Sequence, residues 1–98
     1  MTTELNRTLA AVADPTRRRV VELLRDGPRR AGDLAELCSV SAQVISRHLR
    51  VLLSVGLVDD ERSPVDARVR LFFLRPDALD AMTLWLAEQM PSTLENLS

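Results

Sequence analysis

The hydrophobic pattern of this chain changes its period at Gly56. Before Gly56, apolar residues recur every three to four positions, which is typical of amphipathic helices. The following stretch, LVDDERSPVDARVRLFFLRP, has β-branched and aromatic residues on both sides of a polar tip, and it predicts a hairpin over about 57–62 and 68–75. A helical pattern returns after Pro76 in ALDAMTLWLAEQM. The chain is therefore predicted to be mainly helical with one β-hairpin.

Start and stop signals place two helices in the first part of the chain. The first helix is predicted over about 3–13, from the i, i+4, i+7 spacing of Leu5, Leu9 and Val12. The second helix begins at a strong signal, because Asp14 is a good N-cap residue and Pro15 is favoured at the first helical position. The Gly-Pro pair at 27–28 ends it.

Two more helices precede Gly56. The third is short, with Leu34, Leu37 and Cys38 predicted to face inward, and its N-cap position holds Arg30, which caps poorly. Ser41 caps a fourth helix that runs to about residue 55. The predicted order is α1-α2-α3-α4-β1-β2-α5, in one domain over residues 1–98.

Composition excludes several classes of protein. The chain is 46% hydrophobic and 28% charged, which is typical of a folded globular domain. It has no apolar run of the roughly 20 residues that span a bilayer, no secretory signal, and one cysteine, Cys38, so we expect a cytoplasmic protein without an internal disulfide. No Ser/His/Asp set, glycine-rich phosphate loop or paired-carboxylate cleft is evident. We expect neither catalysis nor a cofactor.

The positive charge is concentrated in the middle of the chain. Residues 15–50 hold eight arginines against four carboxylates, a net charge of +4, whereas residues 51–98 hold four arginines against eight carboxylates, a net charge of −4. All thirteen cations are arginine. The planar guanidinium suits phosphates and guanine edges. A genomic base composition that favours arginine codons is the alternative explanation of this bias.

The fourth helix carries the pattern that most directly indicates a function. One arc of it is apolar, and the opposite arc holds Gln43, Arg47 and Arg50 with no acidic residue between positions 39 and 54. Glutamine and arginine read adenine and guanine edges bidentately, and a short turn joins this helix to the third in a helix-turn-helix arrangement. An ordinary surface helix is the alternative. The DNA-contacting residues predicted on this helix are Ser41, Gln43, Ser46, Arg47, His48 and Arg50.

The hairpin that follows has the composition of a DNA-contacting wing. It carries Arg62, Arg68 and Arg70, of which Arg62 and Arg68 are the predicted contacts to phosphate or the minor groove. Four acidic residues in the same segment favour a plain structural hairpin for part of it. His48 is interpreted either as a hydrogen-bonded structural residue or as a phosphate contact, and Cys38 as a core residue.

These blocks together resemble a known family. DPTRRR, GDLA, SRHLRVL and GLV occur in the order found in the arsenic-repressor (ArsR/SmtB-type) family of bacterial winged helix-turn-helix regulators. The resemblance covers nearly the whole chain. It implies a homodimer that acts as a repressor at a palindromic operator on double-stranded DNA.

The resemblance also implies that the first and last helices form the dimer interface. The last helix is apolar around most of its circumference, and Trp85 is a typical interface anchor. The alternative is that Trp85 only covers the core of a monomer. The predicted interface residues are Leu5, Leu9, Val12, Leu79, Met82, Trp85 and Leu86.

The sequence departs from the resemblance at the metal sites. Arg30 and Gly32 stand at the two cysteine positions of the family's third-helix motif, and the last helix has no histidine. No metal site is predicted, and the effector, small molecule or protein, is left open. The alternative function is a winged helix that binds a protein partner, or a regulator whose sensing is delegated to such a partner.

Overall fold

The computed structural model describes residues 3–91 and confirms the predicted order of elements. Four helices lead into a two-stranded antiparallel hairpin, and a fifth helix follows. Among residues 3–91, no helix has the length and apolar character needed to cross a membrane. The elements are α1 (Thr3–Ala11), α2 (Pro15–Leu24), α3 (Ala31–Cys38), α4 (Ala42–Ser54), β1 (Val58–Arg62), β2 (Arg70–Leu74) and α5 (Pro76–Glu88).

The core lies where α2, α3 and α4 meet the base of the hairpin. Its apolar side chains come from each of these elements and are removed from solvent, which is the main stabilising contribution in a domain of this size. The most completely buried are Val20, Leu34, Ile45, Leu52, Leu57 and Val58. The core therefore holds the fourth helix against the second and third.

The hairpin is tied to the helices at two points. The first is the ring of Phe72, which is opposite Asp60 in the hairpin register and is buried in the core. On the other edge of β2, Arg29 exchanges two backbone hydrogen bonds with Phe72, at 3.0 and 2.8 Å. The segment before α3 thus extends the sheet by one residue pair, a long-range pairing that the local pattern did not predict.

The first and last helices pack against each other at the side of this core. No residue of α5 is fully buried within one chain. Leu84, Leu86 and Met90 are 63%, 57% and 63% exposed. The described part of the chain therefore leaves an apolar surface of α5 uncovered.

Some local predictions were wrong. Leu37 is 48% exposed rather than inward-facing. Leu34, Ala35 and Cys38 share the inward arc of α3, and at 100° per residue Leu37 points about 110° away from its centre. α1 ends at Ala11 and α4 at Ser54, each earlier than predicted, and β1 is shorter than predicted by one residue and β2 by three.

Candidate nucleic-acid interface

The fourth helix is anchored at its start and along its inner face. The Ser41 Oγ accepts a hydrogen bond from the Val44 backbone N–H at 3.2 Å, which caps one of the orphan N–H groups of the first turn. Ile45, Leu49 and Leu52 are buried, at 1%, 2% and 0% exposure. The opposite face must therefore point to solvent.

The turn between α3 and α4 uses a residue in a left-handed conformation. Ser39 has φ 56° and ψ 43°, a region that glycine usually occupies. The Val40 N–H then donates to the Ala35 carbonyl at 3.0 Å and closes the end of α3. This turn brings the N-terminus of α4 directly after α3, the geometry of a helix-turn-helix.

The outer face of α4 is polar and free of acidic residues. Gln43, Ser46, Arg47 and Arg50 are all exposed, as the sequence predicted. Neither Arg47 nor Arg50 forms an ion pair with any residue in the described part of the chain. Their guanidinium groups can therefore turn to an external acceptor without breaking an internal contact.

The arginines of the hairpin differ in their neighbours. Arg62 is exposed and makes one long hydrogen bond, from Nη1 to the Ala67 carbonyl at 3.4 Å. Arg68, whose side chain is 90% exposed, is forked onto Asp66, with Nε to Oδ1 at 3.1 Å and Nη2 to Oδ2 at 2.9 Å. Arg62 is thus the hairpin cation least occupied by the described residues, and Arg68 is partly neutralised.

The pKa values of this pair report the same contact. Side-chain hydrogen bonding from Arg68 lowers the pKa of Asp66, and a backbone hydrogen bond from Arg68 adds to the effect. The same carboxylate raises the pKa of Arg68. Both groups stay charged near neutral pH, so Asp66 places a permanent negative charge beside a predicted phosphate contact.

A groove of about 560 Å³ lies between α4 and the hairpin. It is lined by Ser46 and Arg50 from the helix and by Arg68 from the hairpin, all predicted contacts. Arg30 and Arg70 line it as well, and neither was among them. Arg70 is held by Asp60 and lies 5.0 Å from the centre of the Phe72 ring. Arg70 could have been predicted from its position, because residues two apart in a strand share a face and Arg70 is two residues after Arg68.

His48 is half-buried and turned toward α2 rather than toward the outer face. Its Nδ1 lies 3.3 Å from the Arg17 Nη1. Arg17 also donates from Nε to the Ala11 carbonyl at 2.6 Å. The interpretation of His48 as a hydrogen-bonded residue agrees with this contact, while a contact to phosphate stays a prediction.

The arginines of the DPTRRR block join α1 to α2. Arg18 Nη1 donates to the carbonyls of Val12 and Ala13, both at 2.9 Å, so that Arg17 and Arg18 together satisfy carbonyls at the end of α1. The Asp14 carboxylate accepts from the Arg17 backbone N–H at 3.0 Å and caps α2. This hydrogen bond is the main reason why the pKa of Asp14 is lowered, with a smaller contribution from the charge of Arg17.

The positions aligned with the family's metal motif do not fit a metal ion. Arg30 is a fixed cation whose guanidinium contacts Asp33 at 3.7 Å, and Gly32 has no side chain. Within residues 3–91, no three His, Cys, Asp or Glu side chains are grouped so that they could hold a metal. Burial raises the pKa of the Cys38 thiol, which disfavours the thiolate that metals bind.

Six of the predicted dimer residues, Leu5, Leu9, Val12, Leu79, Met82 and Trp85, are partly buried, and Leu86 is exposed. Val12, Leu79 and Met82 pack against the core of the chain itself. Leu84 and Met90 extend the exposed apolar surface and were not among the predicted residues.

A helix-turn-helix whose second helix exposes an acid-free Gln/Arg face, followed by a β-hairpin, defines the class of winged helix-turn-helix DNA-binding domains. The model of a helix-turn-helix domain family matches residues 12–61, about half of the chain.

Two transcriptional regulators are similar to this chain in sequence. The chain is 40% identical over 58 residues to the transcriptional repressor SdpR of Bacillus subtilis, a match that covers 59% of this chain and 64% of the repressor. It is 42% identical over 77 residues to the HTH-type transcriptional regulator Rv2034 of Mycobacterium tuberculosis, covering 79% of this chain and 69% of that regulator. The match to SdpR thus spans slightly less than two thirds of its length.

Solved structures show the same fold. An ArsR family transcriptional regulator superimposes with a TM-score of 0.77 and 31% identity, covering 88% of this chain and 86% of that one. A homodimeric winged helix-turn-helix domain from Mycobacterium bovis gives a TM-score of 0.70 at 22% identity, over 86% of this chain and 76% of that one. The chain belongs to the ArsR family of winged helix-turn-helix transcriptional regulators, whose members are DNA-binding proteins and not enzymes.

Proposed function

We propose that this chain is a homodimeric repressor that reads a palindromic operator with α4 in the major groove. The observation that carries the proposal is the exposed face of Gln43, Arg47 and Arg50, which has no acidic neighbour on the helix and whose two arginines form no ion pair within residues 3–91. Arginine pairs bidentately with guanine, and glutamine with adenine. Ser41, Ser46 and the hairpin arginines Arg62 and Arg68 are assigned to the flanking phosphates.

Repression is the direction of control in this proposal. A dimer that occupies the major groove over two half-sites excludes other proteins from the same DNA. The name of the Bacillus relative, a transcriptional repressor, supports this direction of control. The function is assigned to residues 1–98 acting as one domain in the cytoplasm.

Dimerisation is supported by the apolar surface of α5. Leu84 and Leu86 in α5 and Met90 just after it are each more than half exposed, and an apolar patch of this kind marks a protein–protein contact surface. A two-fold axis through the α1–α5 side would place the two recognition helices on half-sites about 34 Å apart. The Mycobacterium bovis domain with the same fold is described as homodimeric.

Regulation does not use the family's usual metal sites in this proposal. Arg30, a permanent cation, and Gly32, which has no side chain, stand at the aligned third-helix positions, and this supports the proposal. Release from DNA would then depend on another effector, a small molecule or a protein partner.

Binding to the DNA upstream of the chain's own gene tests the proposal. We expect Arg47→Ala and Gln43→Ala each to weaken operator binding by roughly 1–3 kcal/mol and to relax base preference at one position. Arg25→Ala is the matched control, since Arg25 is an exposed arginine outside α4 and the hairpin. Fluorescence anisotropy on operator and random DNA measures both effects.

Two results would contradict the proposal. Equal losses on operator and random DNA would mean that α4 does not read bases. No loss in either variant would favour the alternative, a winged helix that binds a protein partner.

A further inference from the structure

The contact between Arg17 and His48 has a defined direction. A guanidinium has five N–H donors and no acceptor, so the Arg17 Nη1 must donate and the His48 Nδ1 must accept. The ring proton is therefore on Nε2. Among residues 3–91, this is the one side-chain hydrogen bond that joins α4 to another helix.

Arg17 is itself held in place before it reaches α4. Its Nε donates to the Ala11 carbonyl at the end of α1, and its backbone N–H donates to the Asp14 carboxylate. The guanidinium is half-buried between these groups. It acts as a fixed support between the end of α1 and the middle of α4.

The packing of Ile45, Leu49 and Leu52 fixes which face of α4 turns to the core. The Arg17–His48 hydrogen bond adds a directional contact beside that face. His48 follows Arg47 directly in the sequence, so a rotation of α4 about its axis that moves His48 also moves Arg47. Bidentate pairing with a base edge tolerates little such movement.

We infer that His48 is a positioning residue: its Nδ1 accepts from Arg17, and this hydrogen bond sets the rotation of α4 at which Gln43, Arg47 and Arg50 meet the bases. This inference rests on the proposed function of α4 in reading DNA. Of the two interpretations of His48, it selects the hydrogen-bonded structural residue and rejects the phosphate contact.

Two substitutions of His48 separate these roles. Asparagine places an oxygen acceptor near the position of Nδ1 but has no group at the position of Nε2. Glutamine places an amide N–H donor near Nε2 but has no acceptor at Nδ1. A positioning role needs the first group and a phosphate contact needs the second.

We expect His48→Asn to keep the ratio of operator to random-DNA affinity within about twofold. His48→Gln should lower this ratio about three- to tenfold, the range given by losing one hydrogen bond, while affinity for random DNA and the thermal midpoint stay nearly constant. A loss of affinity in His48→Asn of equal size on operator and random DNA, with His48→Gln intact on both, would overturn the inference in favour of a phosphate contact, because a phosphate contact does not depend on base sequence. Two intact variants would overturn it as well.

If both variants lose the ratio, Arg17→Ala decides. If Arg17→Ala lowers the ratio of operator to random-DNA affinity by the same factor, and the double variant Arg17→Ala/His48→Gln lowers it no further, the two residues act through one shared contact. An unchanged ratio in Arg17→Ala would overturn the inference. Arg47→Ala is measured in parallel. If Arg47→Ala leaves the ratio unchanged, the proposed function itself has failed. If Arg47→Ala lowers it while the His48 variants do not follow the expected order, only the positioning role has failed.

Discussion

Replacing Asp66 by asparagine is expected to strengthen DNA binding by freeing Arg68. Both oxygens of Asp66 accept from the Arg68 guanidinium, which keeps these N–H groups from a phosphate. Asparagine retains Oδ1, which also accepts from the Arg68 backbone N–H at 3.0 Å, so the turn at the hairpin tip is preserved. The substitution thus removes the negative charge and leaves the backbone of the wing unchanged.

The magnitude follows from counterion release. Each phosphate contact changes the slope of log affinity against log salt by about 0.9. One additional contact by Arg68 therefore steepens the fall in affinity between about 50 and 200 mM salt by a further three- to fourfold. The cost of breaking the pair in the wild type is small, because the Arg68 side chain is 90% exposed and solvent screens the attraction.

Anisotropy titrations over a series of salt concentrations measure this slope on operator and on random DNA. Asp66→Asn should steepen the slope on both DNAs, and Arg68→Ala introduced together with Asp66→Asn should remove the added slope. Asp26→Asn is the control, since it removes one exposed acidic charge outside the hairpin. An unchanged slope in Asp66→Asn together with a flattened slope in Arg62→Ala would assign the wing's phosphate contact to Arg62 instead.

Three further predictions concern stability, assembly and metals. Asp14→Ala should lower the free energy of unfolding by about 1 kcal/mol through loss of the α2 cap. Because the folded-state pKa of Asp14 is lowered, this contribution is present above about pH 4 and is lost as the pH falls. The thermal midpoints of the wild type and the variant should therefore converge in acid. Leu86→Glu should yield a folded monomer by sedimentation, since Leu86 is 57% exposed, and a persistent dimer would contradict the assigned interface. Stoichiometric zinc, nickel, cobalt or cadmium should leave operator affinity within about threefold; release of DNA at one metal per protomer, seen by anisotropy, would reveal a site outside the family's positions.

Features determined by neighbouring residues were predicted correctly. Asp14 and Ser41 were assigned as N-caps from residue type and position, and each accepts the expected backbone N–H. The apolar arc of α4 was equally readable, because three turns of helix give its period enough repeats. The start of the first strand was predicted less well. It was expected at Leu57, but the Leu57 N–H donates to the Leu52 carbonyl and closes the end of α4.

Features determined by residues distant in sequence were not predicted. The Arg17–His48 hydrogen bond joins positions 31 residues apart, and nothing near either residue indicates it. The pairing of Arg29 with Phe72 depends on how the hairpin folds back over α3. Leu37 was misassigned because α3 has only two turns, too few for its apolar period to distinguish adjacent arcs.

The distribution of arginine contacts shows why charge along the sequence overstates the charge available to DNA. Three arginines of the positive middle segment, Arg17, Arg18 and Arg29, donate to backbone carbonyls of the protein itself. Others there and in the hairpin contact carboxylates at 4.0 Å or less: Arg19, Arg25, Arg30, Arg68, Arg70 and Arg75. In the middle segment, Arg47 and Arg50 are the two that make neither kind of contact with the described residues, and both lie on the outer face of α4. The placement of unpaired cations, rather than their number, is therefore what supports the proposed DNA-reading role of this helix.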